Sequence, residues 1–398
     1  MLQRLPNTGR AGSYASLAEN PEPERQRRLV YLPPSPGPGG EAYNTLFSEA
    51  LLAHNIVETK GANLSHERLL REAPDLFGIH VHFLQQLWSA KSGLKRLKNL
   101  IGFQRYCTLA RRLGLKLIWT PHDLPNALSL AAGSDGGGAS FFNWTRSTSL
   151  SDQRVGGKVN DLGFRFFAKR ADLVIVHSRS AEHQLRSRYA VQGKLVHMPH
   201  GNFDSACVTT LPRDQTLAFY GLGARPVLGM VGRVTPARGH LLAIEAMGEL
   251  ADEMDLLILG GADDAEYGRL VEQKAKGLDN VVCQLGRLED DVYANAVSAC
   301  DLVLLPYTEI TTSGALLSAW TSGRAVVATR VPLFEEMFAD AGDAGTMIVE
   351  RTVGELIAAV RRLLQVPENT RVAAARAQAD RYAWDKVVVP VAEAIWSM

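Results

Sequence analysis

The chain has 398 residues, which is too long for one ordinary hydrophobic core and suits two domains of roughly 150 to 200 residues each. Apolar residues make up 46% and charged residues 21% of the chain, a balance that excludes a disordered or fibrous protein. The formal net charge is only +1, so the chain has no overall field for a polyanion and no nucleic-acid partner is predicted.

The cysteines and the N-terminus indicate a cytoplasmic protein. Cys107, Cys207, Cys283 and Cys300 are far apart and form no C-x-x-C pair, so neither zinc ligation nor a disulfide framework is expected of them. Residues 1–27 lack an apolar signal segment and are predicted to form a flexible tail. The sequence has no run of 18 or more apolar residues, so no membrane span is predicted. Peripheral contact with the inner membrane face remains an open alternative.

Short apolar, β-rich runs alternate with helical stretches along the whole chain. In the first half these runs are residues 29–32, 78–83, 116–120, 173–177 and 195–198. In the second half they are residues 227–231, 256–259, 281–283, 302–305, 325–328 and 346–349. Near-continuous apolar strands are typical of parallel sheets that helices cover on both faces. The sequence therefore predicts an α/β protein with two doubly wound, Rossmann-like domains facing each other across a cleft.

The boundary between the two domains is predicted where polar residues and Pro212 interrupt this alternation. We expect an N-terminal domain over residues 28–210, a C-terminal domain over residues 211–380, and a C-terminal helix at 381–398 that packs back on the N-terminal domain. Ligands of open α/β sheets bind beyond the carboxyl ends of the strands, so the active site is expected in the cleft.

Two loops of the second domain have the composition of an anion site. Gly232, Arg233 and Arg238 lie on a glycine-bounded turn that leads into a helix, and arginine pairs well with phosphate oxygens. A second loop ends at a predicted helix start with small donors, which are Thr311, Thr312, Ser313 and Gly314. We predict that both loops bind a diphosphate. Ordinary surface arginines and an ordinary helix N-cap are the alternatives.

These segments resemble glycosyltransferases of the GT-B fold, of the family-4-like type. The turn 232–239 is similar to their G-R…K-G segment, with Arg in place of Lys, and residues 304–329 resemble their donor-binding segment. The match is closer to a bacterial subgroup that includes the β-mannosyltransferase of xanthan-type exopolysaccharide assembly. Residues 43–46, 118–122 and 171–203 also resemble this subgroup.

The resemblance implies a hexosyltransferase that uses a nucleotide diphosphate sugar, with GDP-mannose favoured, and requires no metal or other cofactor. The N-terminal domain would bind a glycan, polyprenyl-linked or small-molecule acceptor, and the C-terminal domain the nucleotide sugar. The broader family has two glutamates eight residues apart that contact the donor, whereas Ile310 and Ser318 stand here and Glu309 is retained as a candidate contact. This departure leaves the stereochemistry open. It also keeps two alternatives, a catalytically silent sugar-nucleotide-binding subunit and a nucleotide-sugar epimerase.

Candidate acceptor-side residues lie in the first domain. His122 and Asp123 follow a predicted strand, and attack by a hydroxyl benefits from a base, so His122 is predicted as the base with Asp123 orienting or replacing it. A packing histidine is the alternative. The remaining predicted contacts are Gly39 and Gly40 in a glycine-rich loop at 36–41, Asn44, and His200 and Asn202 before the domain boundary. A plain turn and a hinge are the respective alternatives.

His80 and His82 project from one face of a strand, as a metal-binding pair would. Because no third ligand has a suggestive spacing, no metal site is predicted.

Residues 91–116 form a basic stretch without any acidic residue. Apolar side chains alternate with its eight basic residues, which are Lys91, Lys95, Arg96, Lys98, Arg105, Arg111, Arg112 and Lys116. This pattern predicts contact with an anionic membrane surface, and a helix that packs its apolar side inward is the alternative.

Overall fold

The computed structural model describes residues 26–34, 38–61, 64–90, 92–122, 124, 150–204 and 209–398. The strands there are β1 (Arg27–Leu32), β2 (Ile56–Lys60), β3 (Gly78–Val81), β4 (Lys116–Trp119), β5 (Leu173–Val176), β6 (Lys194–His197), β7 (Val227–Val231), β8 (Asp255–Gly260), β9 (Val281–Leu285), β10 (Leu302–Leu305), β11 (Ala325–Thr329) and β12 (Gly345–Ile348). All of them pair in parallel, in two six-stranded sheets.

Helices connect the strands. They are α1 (Pro38–Leu52), α2 (His66–Glu72), α3 (Gly93–Arg112), α4 (Leu150–Ala168), α5 (Arg179–Tyr189), α6 (Arg213–Phe219), α7 (His240–Glu249), α8 (Ala265–Ala275), α9 (Asp290–Ala299), α10 (Gly314–Thr321), α11 (Pro332–Met337), α12 (Val353–Leu364), α13 (Glu368–Arg381), α14 (Trp384–Val387) and α15 (Val389–Trp396). Short 3₁₀ turns lie at Ala73–Asp75, Leu84–Trp88, Pro236–Arg238 and Gly342–Ala344. No helix in the described ranges is long and apolar enough to cross a membrane.

The strand orders are those of two doubly wound domains. The first sheet runs β2-β1-β3-β4-β5-β6 and the second β12-β11-β10-β7-β8-β9. Central strands such as β5 and β10 are buried along their whole length, because helices cover both faces of each sheet. The predicted pair of Rossmann-like domains is confirmed.

One strand, β2, was not predicted from the sequence. Only Ile56 and Val57 in it are apolar, because β2 lies at the edge of the first sheet and exposes Thr59 and Lys60. Its remaining residue, Glu58, is polar and yet has a fully buried side chain. An edge strand of this composition has no apolar alternation that pattern analysis could detect.

The C-terminal residues return to the first domain. Val388 and Val391 pack in one hydrophobic cluster with Leu29 of β1 and Ile175 of β5. The Trp384 indole donates to the Asn202 carbonyl oxygen at 2.8 Å, at the point where the chain passes from the first domain to the second. Thr210 already contacts the second domain, since its amide donates to Asn295 Oδ1 at 2.8 Å.

Candidate active site

The two predicted diphosphate loops lie side by side at the carboxyl ends of β7 and β10. The Thr308 amide donates to the Ala237 carbonyl at 2.9 Å, and the Arg238 guanidinium both stacks 4.3 Å from the Tyr307 ring centre and donates to the Tyr307 hydroxyl. Gly232 has a φ of +128°, a backbone conformation that favours glycine, and its carbonyl leaves no room for a Cβ at the facing Gly260. Small residues therefore let these loops converge.

The two predicted arginines differ in their partners. Arg233 forms a bidentate ion pair with Asp263, with its Nε donating to Oδ1 at 3.2 Å. Arg238 has a neutral partner in Tyr307, so its charge is not compensated by that contact. Both side chains are at the predicted turn. To bind a phosphate, Arg233 must either keep Asp263 as a second partner or break its ion pair with Asp263.

The threonines of the second loop reach across the cleft. Thr311 Oγ1 donates to the His122 carbonyl oxygen at 3.0 Å, and Thr312 Oγ1 lies 3.4 Å from the same atom. Ser313 accepts from the Leu316 amide at 3.2 Å, so it is the N-cap of α10, and Gly314 is the first residue of that helix. The loop predicted for phosphate thus contacts the loop predicted for the base.

Four buried histidines surround the aromatic ring of Tyr43 on the N-terminal side of the cleft. The ring-centre distances from Tyr43 are 5.8 Å to His82, 4.6 Å to His122, 5.4 Å to His177 and 4.9 Å to His200. His122 is connected to His82 through Nε2 and Nδ1, which are 3.2 Å apart, and it stacks on Phe83 at 4.3 Å. These side chains come from α1 and from the ends of β3, β4, β5 and β6.

Burial keeps this histidine group neutral. It lowers the pKa of His177 to about 3 and that of His200 to about 4. The pKa of His122 lies well below its ordinary value because burial and then the neighbouring His177 oppose its charge. At neutral pH each imidazole therefore has one nitrogen lone pair that can accept a proton or a hydrogen bond.

A cavity between the domains is lined from both sides. From the first domain come His177, Pro199 and His200, and from the second come Thr312, Ser313, Leu317, Leu333, Glu336, Met337 and Tyr382. The His177 Nε2 is buried without a hydrogen-bond partner, and so are the amide atoms of Asn44 and the hydroxyl of Tyr43. Unsatisfied buried polar atoms are costly, so the free His177 nitrogen in the cavity wall is consistent with a site for a polar ligand.

Other predicted contacts are placed differently from what the sequence suggested. Gly39 and Gly40 belong to the first turn of α1 and do not form the predicted loop. The backbone amides of a first helical turn have no acceptor within the helix. Asn202 donates to Asp204 and to the Ala379 carbonyl and is not among the cavity residues, which corresponds to the hinge alternative. Asp123 lies outside the described residues.

The positions of the missing family glutamates are occupied by residues with other contacts. Ile310 packs against the hydrophobic core of the second domain, and Ser318 is buried within α10. Glu309 is half-buried, and this burial raises its pKa. Of these three side chains, Glu309 alone could supply a carboxylate to the donor.

Sequence reasoning missed several residues of the site. Tyr43, His177, Tyr307 and Asp263 make the contacts described above, and Glu58 lies beside the His80 and His82 pair. The histidine that ends β5 had a detectable signal, since it follows a strand in the same way as His122 does. Glu58 had none, because its strand was not predicted.

Helix α3 presents the basic stretch to solvent on one side. Lys95, Lys98, Arg105, Arg111 and Arg112 are exposed, and Leu94, Leu97 and Ile101 are exposed beside them, Leu94 by 85%. Arg96, by contrast, is buried and donates to the Ala90 carbonyl at 2.8 Å, so it is not part of this surface. Lys91 lies outside the described residues.

Comparison with known proteins agrees with this architecture. Residues 225–366 match the family model described as Glycosyl transferases group 1. The GDP-mannose:glycolipid 4-beta-D-mannosyltransferase of Xanthomonas campestris pv. campestris is 32% identical over 130 residues, which cover 32% of this chain and 36% of that protein. The alpha-D-kanosaminyltransferase of Streptomyces kanamyceticus is 26% identical over 224 residues, which cover 54% of this chain and 57% of that protein. The alignments thus span less than two thirds of these relatives.

Among solved structures, that of Anabaena Alr3699/HepE in complex with UDP and glucose is similar, with a TM-score of 0.68. The identity is 17%, and the superposition covers 94% of this chain and 100% of that one. Two Rossmann-like domains that face each other across a cleft are the architecture of the GT-B class. This architecture and the domain match at 225–366 show a GT-B fold that contains a domain similar to Glycosyl transferases group 1, which agrees with the resemblance found in the sequence.

Proposed function

We propose that this protein transfers a hexosyl unit from a nucleoside diphosphate sugar to an acceptor hydroxyl. The contact of Thr311 with the His122 carbonyl, 3.0 Å across the cleft, carries the proposal. The same donor loop lines a cavity with Thr312 and Ser313, and His177 and His200 of the first domain line its other side. A transferase that moves a sugar from a diphosphate to a hydroxyl needs these two environments next to each other.

In this proposal Arg233 and Arg238 hold the diphosphate leaving group, and the N-terminus of α10 adds backbone donors. The arginines neutralise the phosphates, so the transfer needs no metal ion in the donor site. His122 accepts the proton of the attacking hydroxyl, since burial keeps its imidazole neutral. A single displacement of this kind inverts the configuration at the anomeric carbon.

We further propose GDP-mannose as donor and a lipid-linked glycan as acceptor. The similarity to a GDP-mannose:glycolipid 4-beta-D-mannosyltransferase supports the donor and the acceptor class. The exposed face of α3 supports a lipid-linked acceptor, because Leu94, Leu97 and Ile101 lie among basic side chains at helical spacing. No acidic residue interrupts that face between residues 92 and 116, so it complements an anionic membrane.

The test is to incubate the purified chain separately with GDP-mannose, UDP-glucose and dTDP-glucose, with and without a glycolipid extract. Release of nucleoside diphosphate that depends on the acceptor, with a β-linked product, is the expected result. Donor binding without release in any mixture would instead favour the silent binding subunit, which Ile310 and Ser318 at the glutamate positions make a specific alternative. A converted nucleotide sugar without acceptor would indicate an epimerase.

A further inference from the structure

Three side chains of the first domain form a fully buried group that the transfer reaction does not use. Glu58 comes from the edge strand β2, and His80 and His82 come from β3 and the residue after it. All three side chains have no exposed surface, and Phe47 of α1 covers both imidazoles. One nitrogen or oxygen from each residue lies within 4.8 Å of the others.

The inner atoms of this group are close together but incompletely bonded. His80 Nδ1 is 2.6 Å from Glu58 Oε1, whereas His82 Nε2 is 3.9 Å from Glu58 Oε2, which is too long for a hydrogen bond. His82 Nε2 is buried and has no hydrogen-bond partner. A buried nitrogen without a partner, aimed at a carboxylate, indicates that an atom belongs between them.

The second ring nitrogen of each histidine has a partner, and Glu58 has an additional one. His80 Nε2 is 2.8 Å from Thr120 Oγ1, His82 Nδ1 is 3.2 Å from His122 Nε2, and Ser48 Oγ donates to Glu58 Oε2 at 2.9 Å. Metal-ligating histidines characteristically bond through their second nitrogen in this way, which fixes the ring and leaves the first nitrogen for the metal.

We propose that Glu58, His80 and His82 bind one Zn²⁺ ion, which fastens β2 to β3. Two histidines and one glutamate are a known zinc ligand set. Zinc bonds of about 2.0–2.2 Å at tetrahedral angles place ligand atoms roughly 3.3 Å apart. The observed separations of 2.6 Å to Glu58 Oε1 and 3.9 Å to Glu58 Oε2 lie on either side of that value, so side-chain shifts of a few tenths of an ångström bring three ligands to the ion and leave its fourth position for a water molecule.

The proposal is tested on the full, untagged chain after dialysis against EDTA. Titration with Zn²⁺ against a chromophoric chelator should show one ion per chain, and Co²⁺ in its place should give the visible absorption of a tetrahedral site. Glu58→Gln and His82→Gln should lose this ion. Thr120→Val, which removes only the partner of His80 Nε2, should weaken binding roughly 10- to 100-fold.

His240→Gln is the matched control, because His240 is also a buried histidine with an unsatisfied nitrogen but lies in the other domain. It should retain one Zn²⁺ ion per chain. Cys283→Ser excludes uptake by the half-buried thiol. Where Glu58→Gln does not fold, a rise of the thermal midpoint of the wild type with Zn²⁺, reduced in Thr120→Val, supports the site. Absence of stoichiometric Zn²⁺ in the wild type, or equal uptake in Thr120→Val, overturns the proposal in favour of a plain His80–Glu58 hydrogen bond.

Discussion

On the C-terminal side of the cleft the polar groups include full charges, with Arg233 held by Asp263 and Arg238 by Tyr307. On the N-terminal side they are neutral, with His122, His177 and His200 packed around Tyr43. A half-buried, charged wall suits a diphosphate and tolerates water. A buried wall can hold imidazoles only when they are uncharged, which suits hydrogen bonding to sugar hydroxyls and proton transfer.

The first test of this comparison removes the imidazole of His122, the residue whose backbone carbonyl contacts the donor loop. His122→Ala should lower turnover on the order of 10² to 10⁴-fold, because general-base catalysis contributes about that much. Donor affinity should remain nearly unchanged, since the arginines are untouched. Initial rates and a nucleotide titration on the same preparation measure both quantities.

His54→Ala, a histidine of the same domain away from the cleft, is the control and should leave both quantities unchanged. If His122→Ala keeps most of its activity while Asp123→Ala does not, Asp123 is the base and His122 a packing residue.

The charged wall should respond in the opposite way. Arg233→Ala or Arg238→Ala should weaken binding of the free nucleoside diphosphate by roughly 1.5–3 kcal/mol, the range for hydrogen bonds to charged groups. Isothermal titration measures this loss, which should be smaller at high salt.

Asp263→Asn sharpens the test, because it keeps the shape of the Arg233 partner and removes its charge. This variant should bind the diphosphate as well as the wild type or better. Equal affinity in both arginine variants and the wild type would show that the diphosphate does not bind at this turn.

The two walls also differ in how far they could be predicted from the sequence. Gly232, Arg233 and Arg238 lie within one turn, and Thr311 to Gly314 within another, so local spacing was enough to find them. The histidine group is assembled from the ends of four strands and α1, and only tertiary structure brings Tyr43 and His177 to His122.

The misses have specific physical causes. Glu58 was not predicted because its strand lies at a sheet edge and is mostly polar, so the histidine pair lacked its third neighbour. The sequence predicted a loop at Gly39 and Gly40 because glycine disfavours helices, yet both residues occupy a first helical turn. Arg96 was grouped with surface cations because residue composition does not show which side of α3 faces inward.

A third prediction extends the comparison to the outer surface of the N-terminal domain. Lys98→Gln with Arg105→Gln should remove roughly 2 kcal/mol of attraction to anionic vesicles, at about 1 kcal/mol per basic residue near the surface. Co-sedimentation with anionic and neutral vesicles at several salt concentrations measures it, and binding should fall as salt screens the charges.

Lys274→Gln with Lys276→Gln, two exposed lysines at the end of α8 in the other domain, is the matched control. Activity on a short water-soluble acceptor should be unchanged in both double variants. Vesicle binding that ignores lipid charge and salt would leave α3 as a helix with solvated charges.

The smallest expected effect concerns a contact between the two domains. Glu336 of α11 lies 3.1 Å from His197 Nε2 and accepts from the Arg179 amide at 2.9 Å, so it ties the second domain to the first. Burial raises the pKa of Glu336, but the hydrogen bonds from His197 and Arg179 lower it overall. A carboxyl group with a lowered pKa stabilises the folded state above its unfolded pKa of about 4.3, and that contribution disappears as the pH falls through the folded pKa. Glu336→Gln should therefore be less stable than the wild type at pH 7, by at most about 1 kcal/mol, and the difference should shrink as the pH falls below about 4. Thermal unfolding of both proteins across this range measures it.

Glu335→Gln serves as the control, because Glu335 pairs with Arg330 within its own domain. A difference that is independent of pH would show that Glu336 contributes shape to the domain contact and not charge.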